Sequence, residues 1–389
     1  MRIVQNNLFQ KSVNELLVLR ELRKGPLSRV KLASLLGLQQ STVTYCTSRL
    51  TEAGLIRLTG NKISQRGAGR KPELLAVNPD AGRIIGVEML RGSYRMSICD
   101  ILGNLISSDV SLYDDVSSST QEEMFRARVD TIVGRVLSRC EGTDVWGMCI
   151  AVPGIVSLDG KKIIDCWTHG LRECDFSGFL SSFSFPIVFE NDANCCALKY
   201  VIHGSDIEDD TFLYVRFQSY DGLVLPPGIP SIGIGTGLVL AGKLYRGYRG
   251  RGGEFRSVYT STASGATQLS FSHEELARRH EDPMIMESIV KELLENMMSI
   301  RALLDPRTIY LGGFDETERQ FLIAGLHEFS DSDETAGFVD SCVIINKAED
   351  DASLGAASLV VDEVFRIPRL GERSDKNTIN WMSRAIEDS

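Results

Sequence analysis

No apolar stretch in this 389-residue chain reaches the roughly 18 residues a membrane helix requires, which excludes a helical span. The opening MRIVQNNLFQKS lacks the succession of charged start, apolar core and small-residue cleavage site that marks a secretory leader, so a cytoplasmic protein is expected. No CxxC pair occurs among the nine cysteines, and nothing in their spacing supports a zinc site. They are odd in number and scattered through apolar segments (46, 99, 140, 149, 166, 174, 195, 196 and 342), as expected of small buried side chains in a reducing compartment.

What the chain does have is ordinary core-forming composition, 43% hydrophobic, over a length that suggests two or three domains. Its charge is unevenly spread. Residues 1–79 carry 13 Lys and Arg against 4 Asp and Glu, a net of +9, while the remainder carries 29 against 48, a net of −19. A basic head on an acidic body points to nucleic acid at the head, a solvated basic face being the alternative.

The head has the spacing of packed helices. Val13, Leu16, Leu17, Leu19 and Leu22 recur at helical intervals, and Gly25-Pro26 ends that run. Ser28 can cap a second helix, with Val30, Leu32, Ala33, Leu35 and Leu36 expected inward. Gly37 supplies a tight turn, and a third helix is expected from about Gln39 to Ala53, completing a helix-turn-helix. The third helix opens with small and amide side chains. Gln39, Gln40, Ser41, Thr44 and Tyr45 could reach base edges in a major groove, with Arg49 on phosphate; an ordinary polar helix start is the other reading. Two strand-like segments then flank a Gly/Arg loop, as in a wing, where Arg66, Arg70 and Lys71 could enter a minor groove.

The body reads as α/β. After the punctuated link at 78–82, residues 83–112 suggest a meander of strands, followed by a helix at about 120–139. Strands ending at Pro153-Gly154 and at Glu190 follow, the second delivering Asn191-Asp192-Ala193-Asn194 into a helix. Polar groups at a strand's carboxyl end, before a helix N-terminus, are well placed to meet a ligand. The GlyIleGlyThrGly segment, with Gly233, Gly235, Thr236 and Gly237, could be a phosphate-holding turn or a bare hairpin turn. Gly312 and Gly313 end a later strand, and a closing helix begins near Asp351.

At this point the chain resembles the ROK family of repressors and sugar kinases, in its repressor branch, from about residue 12 to 365. The carriers are AlaValProGlyIleVal (151–156), GluAsnAspAlaAsnCysCysAla (190–197), the Gly233–Gly247 run, GlyGlyGluPhe (252–255) and IleTyrLeuGlyGly (309–313). The resemblance implies a winged helix-turn-helix over residues 1–78 joined to an actin-like, ribonuclease H-like two-lobed sugar-kinase body, with lobes at 79–200 and 201–365 and a tail at 366–389. It further implies that Glu254, Asn191 and Asp192 accept sugar hydroxyls, work a carboxylate does well because it takes several donors at once. Gly154 would border the same site. In kinase members the residue matching Asp192 is the general base; a helix-capping carboxylate is its bland alternative.

Departures from the family pattern are as informative. GluPheGlyHis becomes GluPheArgSer (254–257), and the zinc-binding segment is replaced by TyrThrSerThrAlaSerGlyAlaThrGln (259–268), which has no thiolate or imidazole. No metal is therefore expected, and Arg256 paired with an acid could hold the loop instead. Kinase members have an Asp and two glycines after the first strand, where ATP phosphates sit. Here Glu88 keeps a carboxylate, but Met89 and Leu90 obstruct the turn, so useful kinase activity is not expected. The glycines at 233–237 and 312–313 would then be a degenerate phosphate site. No Asn follows Pro153-Gly154 at the usual sugar-binding position; His169 either replaces it or is a loop residue.

These readings converge on a ligand-responsive transcriptional repressor without a cofactor. It would be a homodimer or dimer of dimers, on a palindromic double-stranded operator, with a sugar or sugar phosphate between the body lobes. An active ATP-dependent sugar kinase carrying a DNA-binding head, or a regulator that senses another effector, are the rivals.

Overall fold

The computed structural model describes residues 2–62, 73–114, 118, 120–203, 210–220, 231–260, 267–330, 333–346 and 351–367. Arg66, Arg70, Lys71 and nearly all of the expected tail lie outside the described residues.

The head opens with α1 (Arg2–Arg23), whose Leu16, Val18, Leu19 and Leu22 are buried. A short strand, β1 (Leu27–Ser28), leads to α2 (Arg29–Leu36), where the Ser28 hydroxyl accepts from the Lys31 amide at 3.3 Å. Gly37 ends α2 in the left-handed region, φ 62°, a conformation that favours glycine. Then comes α3 (Gln40–Glu52), packed inward through Val43, Cys46 and Leu50. The expected inward set on α2 needs correcting. Leu32 and Ala33 are buried, but Val30 and Leu35 are exposed, because an eight-residue helix with Leu32, Ala33 and Leu36 on its inner face turns those two outward. A hairpin, β2 (Ile56–Lys62) and β3 (Glu73–Val77), pairs Ile56 with Val77 and Lys62 with Glu73 beside the helices.

The first lobe starts as an antiparallel meander of β4 (Arg83–Met89), β5 (Ser93–Cys99) and β6 (Leu105–Leu112). Capped by Thr120, α4 (Gln121–Arg139) crosses to β7 (Val145–Val152), which lies parallel to β4. A small antiparallel sheet of β8 (Ile155–Val156), β9 (Lys162–Cys166) and β10 (Leu171–Asp175) precedes the short α5 (Ser177–Leu180). Next, β11 (Ile187–Asn191) returns parallel to β7 and runs straight into α6 (Asp192–His203).

The second lobe repeats this plan. Its strands are β12 (Phe212–Ser219), β13 (Ile232–Leu240) and β14 (Lys243–Leu244), followed by α7 (His273–Ala277) and α8 (Pro283–Leu304). After these come β15 (Thr308–Gly312), α9 (Glu316–Ser330), α10 (Asp333–Ser341) and β16 (Cys342–Ile344). The two five-stranded sheets run β11-β7-β4-β5-β6 and β16-β15-β12-β13-β14, so β4 and β12 are equivalent middle strands. Both have an antiparallel side and a parallel side, the signature of a duplicated α/β lobe.

The closing helix α11 (Asp351–Val364) does not stay with the second lobe, where the division at 201–365 put it; it packs back on β4, β7 and α6. Glycines make that possible. A Cβ on Gly86 would stand 1.8 Å from the Ser353 carbonyl, and one on Gly355 would stand 1.6 Å from the Cys195 carbonyl. Two helices, α6 and α11, thus cross between the sheets at van der Waals distance, and the buried apolar cluster around them is continuous with the head's core.

Candidate functional site

Both candidate surfaces grow from these elements. On the head, α3 buries Val43, Cys46, Thr47 and Leu50, which leaves Gln40, Ser41, Thr44 and Tyr45 exposed together on its outer face, with Gln39 exposed at its start. The Thr44 hydroxyl donates to the Gln40 carbonyl at 2.8 Å, and Lys11 Nζ stands 5.5 Å from the Tyr45 ring centre. Arg49 is less free than expected. Its guanidinium lies 3.4 Å from the buried Glu15 carboxylate of α1 and 5.9 Å from the Tyr45 ring, so it braces α3 against α1.

In the body, the ends of β7 and β11 from one lobe and of β12 and β13 from the other border a hollow of about 120 Å³. Gly154, Asp165, Trp167, Asn191, Asp192, Arg216, Gln218, Tyr220, Gly233, Gly235, Glu254 and Gln268 line it. Its volume suits a small polar molecule. Asn191 is fixed at both ends of its amide: Nδ2 donates to the Gly154 carbonyl at 3.0 Å, and Oδ1 accepts from the Asn194 amide at 3.0 Å. That second bond satisfies an orphan donor of the first turn of α6.

Asp192 follows at the first position of α6. It is buried, its Oδ2 lies 3.3 Å from Arg216 Nε, and burial is the largest cause raising its pKa. Arg216, on β12, also donates to the buried Glu88 carboxylate on β4 and, at 3.1 Å, to Cys196 Sγ. One guanidinium therefore bridges two carboxylates of the opposite lobe; burial works to lower its pKa, but the neighbouring charges, Glu88 foremost, outweigh that and hold it well above the ordinary value. Behind this cluster, buried Glu190 accepts from Arg246 Nε at 2.6 Å and from Asn194 Nδ2 at 2.9 Å.

Glu254 stands exposed at the rim, its pKa raised by partial burial and by the neighbouring charges of Asp192 and Asp165. Its loop is clipped to β13: Thr236 Oγ1 donates to the Gly253 carbonyl at 2.6 Å, and Gly235 bridges Glu254. The GlyIleGlyThrGly segment is thus not a turn. It lies inside β13, paired residue for residue with β12, while the Ile234 amide donates to Gln268 Oε1 at 2.8 Å and the Thr236 amide donates to the Gly253 carbonyl at 3.1 Å. Its glycines serve packing instead, since a Cβ on Gly237 would stand 2.4 Å from the Ala193 carbonyl of α6. Gly312 ends β15 beside Arg216, while Gly313, at φ 90°, passes against the Phe217 carbonyl; neither lines the hollow.

His169 does not face the hollow either. It is buried in the first lobe against the Phe125 ring at 5.4 Å, with Nε2 3.3 Å from the Met89 carbonyl, and burial lowers its pKa to about 4. Among the described residues Arg256 pairs with no acid; its Nε donates to Thr260 Oγ1 at 3.1 Å. The loop after Glu254 is held by amides and hydroxyls. Gln268 Nε2 donates to the Ile234 and Phe255 carbonyls at 2.6 and 3.0 Å, and Asn296 Nδ2 donates to Ser257 Oγ at 3.1 Å. Among the described residues there, none offers a thiolate or imidazole, so zinc does not fit this donor set.

Sequence reasoning missed Arg216, Asp165, Trp167, Gln218, Tyr220 and Gln268. Arg216 carried a readable signal, a charge inside the apolar run PheLeuTyrValArgPhe, where burial demands a partner.

A helix-turn-helix with a hairpin beside it, joined to a two-lobed α/β body of repeated sheets, is the architecture of a winged helix-turn-helix fused to a sugar-kinase-type fold. The ROK family model matches residues 100–261, and a winged helix-turn-helix DNA-binding model matches residues 12–57. The chain carries a ROK-family domain with a winged helix-turn-helix ahead of it. The chain is 27% identical over 254 residues to the xylose repressor of Bacillus subtilis, covering 64% of this chain and 61% of that protein. It is also 28% identical over 176 residues to a β-glucoside kinase of Listeria innocua, covering 43% and 53%. It therefore spans about three-fifths or less of the length of these relatives. Among solved structures, a ROK family transcriptional regulator homologous to the Escherichia coli MLC protein superposes with a TM-score of 0.70 at 16% identity, over 92% of this chain and 97% of that one. A ROK glucokinase from Streptomyces griseus, in complex with glucose and AMPPNP, superposes with a TM-score of 0.53 at 17% identity, over 72% and 99%.

Proposed function

We propose that this protein is a DNA-binding transcriptional repressor whose operator affinity is set by a sugar or sugar-derived effector held between the body lobes. The observation that carries the reading is the outer face of α3, where Gln40, Ser41, Thr44 and Tyr45 stand exposed on a helix whose other face is packed. The head's net positive charge and its similarity to the xylose repressor of Bacillus subtilis support the same reading. A homodimer would present two heads to a palindromic duplex, with the wing residues Arg66, Arg70 and Lys71 at the minor groove. Among the described residues no helix is long and apolar enough to cross a membrane, in keeping with a cytoplasmic regulator.

A sugar would bind to Asn191, Asp192 and Glu254, whose amide and carboxylate groups border the hollow. Its contacts with both lobes would favour one lobe arrangement over another, by about 1–3 kcal/mol in effectors of this kind. Binding of the full chain to duplex DNA upstream of its own and neighbouring genes, followed by fluorescence anisotropy across salt concentrations, tests the reading. Affinity that falls steeply with salt is expected; no salt-dependent binding to any of these duplexes overturns it.

A second reading, a sugar kinase with a DNA-binding head, draws on the retention of Asp192 and on the similarity to the β-glucoside kinase. Against it stands Arg216, which engages Glu88 and Asp192, the carboxylates at the positions a kinase would use for metal-nucleotide and base. ADP release with a sugar panel decides between them, and turnover abolished in Asp192→Asn would establish the kinase.

A further inference from the structure

The charges around the hollow say more about its ligand than the family resemblance does. Among the described residues three carboxylates border it, Asp165, Asp192 and Glu254, and they are near enough for the charges of Asp165 and Asp192 to act on Glu254. One cation among the described residues, Arg216, lines it, and that cation is already committed to Glu88, Asp192 and Cys196. Arg251 lies near Glu254 but is exposed, outside the lining. The positive end of α6, which would otherwise attract an anion, is occupied by Asp192 itself, whose Oδ1 accepts from the Ala193 amide at 2.9 Å. An anion entering this space meets carboxylates and no uncommitted cation among the lining residues.

A second feature points the same way. The Trp167 and Tyr220 rings meet edge to face at 5.0 Å and both line the hollow, forming an aromatic wall beside the acidic rim. Such a wall suits the C–H face of a sugar ring and attracts a cation held near it. Gln218 and Gln268 supply further amide groups at the same lining.

We propose that the hollow selects a polyol bearing a protonated amine, an amino sugar, over the matching neutral sugar, and discriminates against the matching sugar phosphate. The ammonium group lies between Asp165 and Glu254, the ring against Trp167 and Tyr220, and the hydroxyls on Asn191 and Asp192. Two charge-assisted hydrogen bonds to carboxylates favour the amine, and the same carboxylates repel a phosphoryl group. The inference rests on the reading of the hollow as a sugar-effector site.

Titration calorimetry of the full chain with matched sets in the gluco, galacto and manno series tests it, each set comprising the 2-amino sugar, the parent sugar, the N-acetyl derivative and the 6-phosphate. In at least one series the amine is expected to bind about tenfold or more tightly than its parent and its N-acetyl derivative, with the phosphate weakest. Asp165→Asn and Glu254→Gln, two separate rim substitutions checked for an unchanged melting temperature, should each shrink that preference, as should high salt. A parent sugar or phosphate that binds as tightly as the amine in every series overturns the amine proposal and leaves the sugar-effector reading standing. No binding by any member of any series overturns both.

Discussion

The Arg216 guanidinium on β12 donates to the Glu88 carboxylate on β4, so the middle strands of the two lobes are joined by a buried ion pair. Removing one partner of such a pair leaves the other charge buried and uncompensated, which typically costs about 3–5 kcal/mol. Arg216→Met should therefore lower the unfolding free energy by about that amount, read by denaturant titration. Arg216→Lys should recover only part of the loss, because an ammonium lacks the planar fork that reaches both Glu88 and Asp192. A fully stable Arg216→Met protein would show that the bridge is not the main tie between the lobes.

On the head, exposure separates recognition from stability. Gln40→Ala, Ser41→Ala and Thr44→Ala alter exposed side chains, so each should leave the melting temperature within a degree or two while weakening specific DNA binding by about 1–3 kcal/mol if it reads a base edge. Arg49→Ala should behave otherwise. It leaves the Glu15 carboxylate buried without its guanidinium, so thermal stability should fall along with DNA binding.

His169 gives the body a dependence on pH whose sign is fixed by burial. Its folded pKa, about 4, lies below the ordinary 6.5, so between those values the unfolded chain binds more protons. Its contribution is fully present above pH 6.5 and is lost as pH falls towards 4, with about 2 kcal/mol gone by pH 5. His169→Phe should flatten the stability profile between pH 7 and 5, measured by chemical denaturation at each pH. An unchanged slope would mean that the ring is protonated within the fold.

Gly237 tests the packing of α6. A Cβ there would stand 2.4 Å from the Ala193 carbonyl and 2.7 Å from the Ala197 methyl, and neither a backbone carbonyl nor a short side chain can swing aside. Gly237→Ala should destabilise by about 1–3 kcal/mol and shift α6, carrying Asp192 with it. Weakened effector binding at a temperature where the variant stays folded is the readout that separates this from general loss of stability.

Much of the fold could be read from the sequence because each element carries its own local signal. The Ser28 cap, the Gly37 turn and the spacing of Leu16, Leu19 and Leu22 each fix a boundary or a face without help from distant residues. The run from Glu190 to Asn194 was legible in the same way, as polar residues between an apolar strand and a helix. What failed depended on the other lobe. Whether GlyIleGlyThrGly turns or continues is decided by eight pairings with β12 and by the approach of α6, and neither is visible locally. His169 offered itself as a replacement for the sugar-binding Asn that the resemblance implies after Pro153-Gly154, a loop residue being the other reading, yet packing against Phe125 withdraws it from the hollow. The partners of Arg216 lie 24 and 128 residues away along the chain, beyond the reach of periodicity or motif.

The underside of the head rests on the end of α11: Arg23 lies over the Phe365 ring at 5.1 Å, and the charge of Asp362 acts on its guanidinium. Synthesis thus delivers the two halves of this joint at opposite ends of translation. A nascent chain can fold its helix-turn-helix within the first eighty residues, but the seat beneath it emerges only after more than 360 have been made. Until then the contact between Arg23 and Phe365 cannot form, and ribosome-bound chains should be unable to pass a signal from the hollow to the duplex through it.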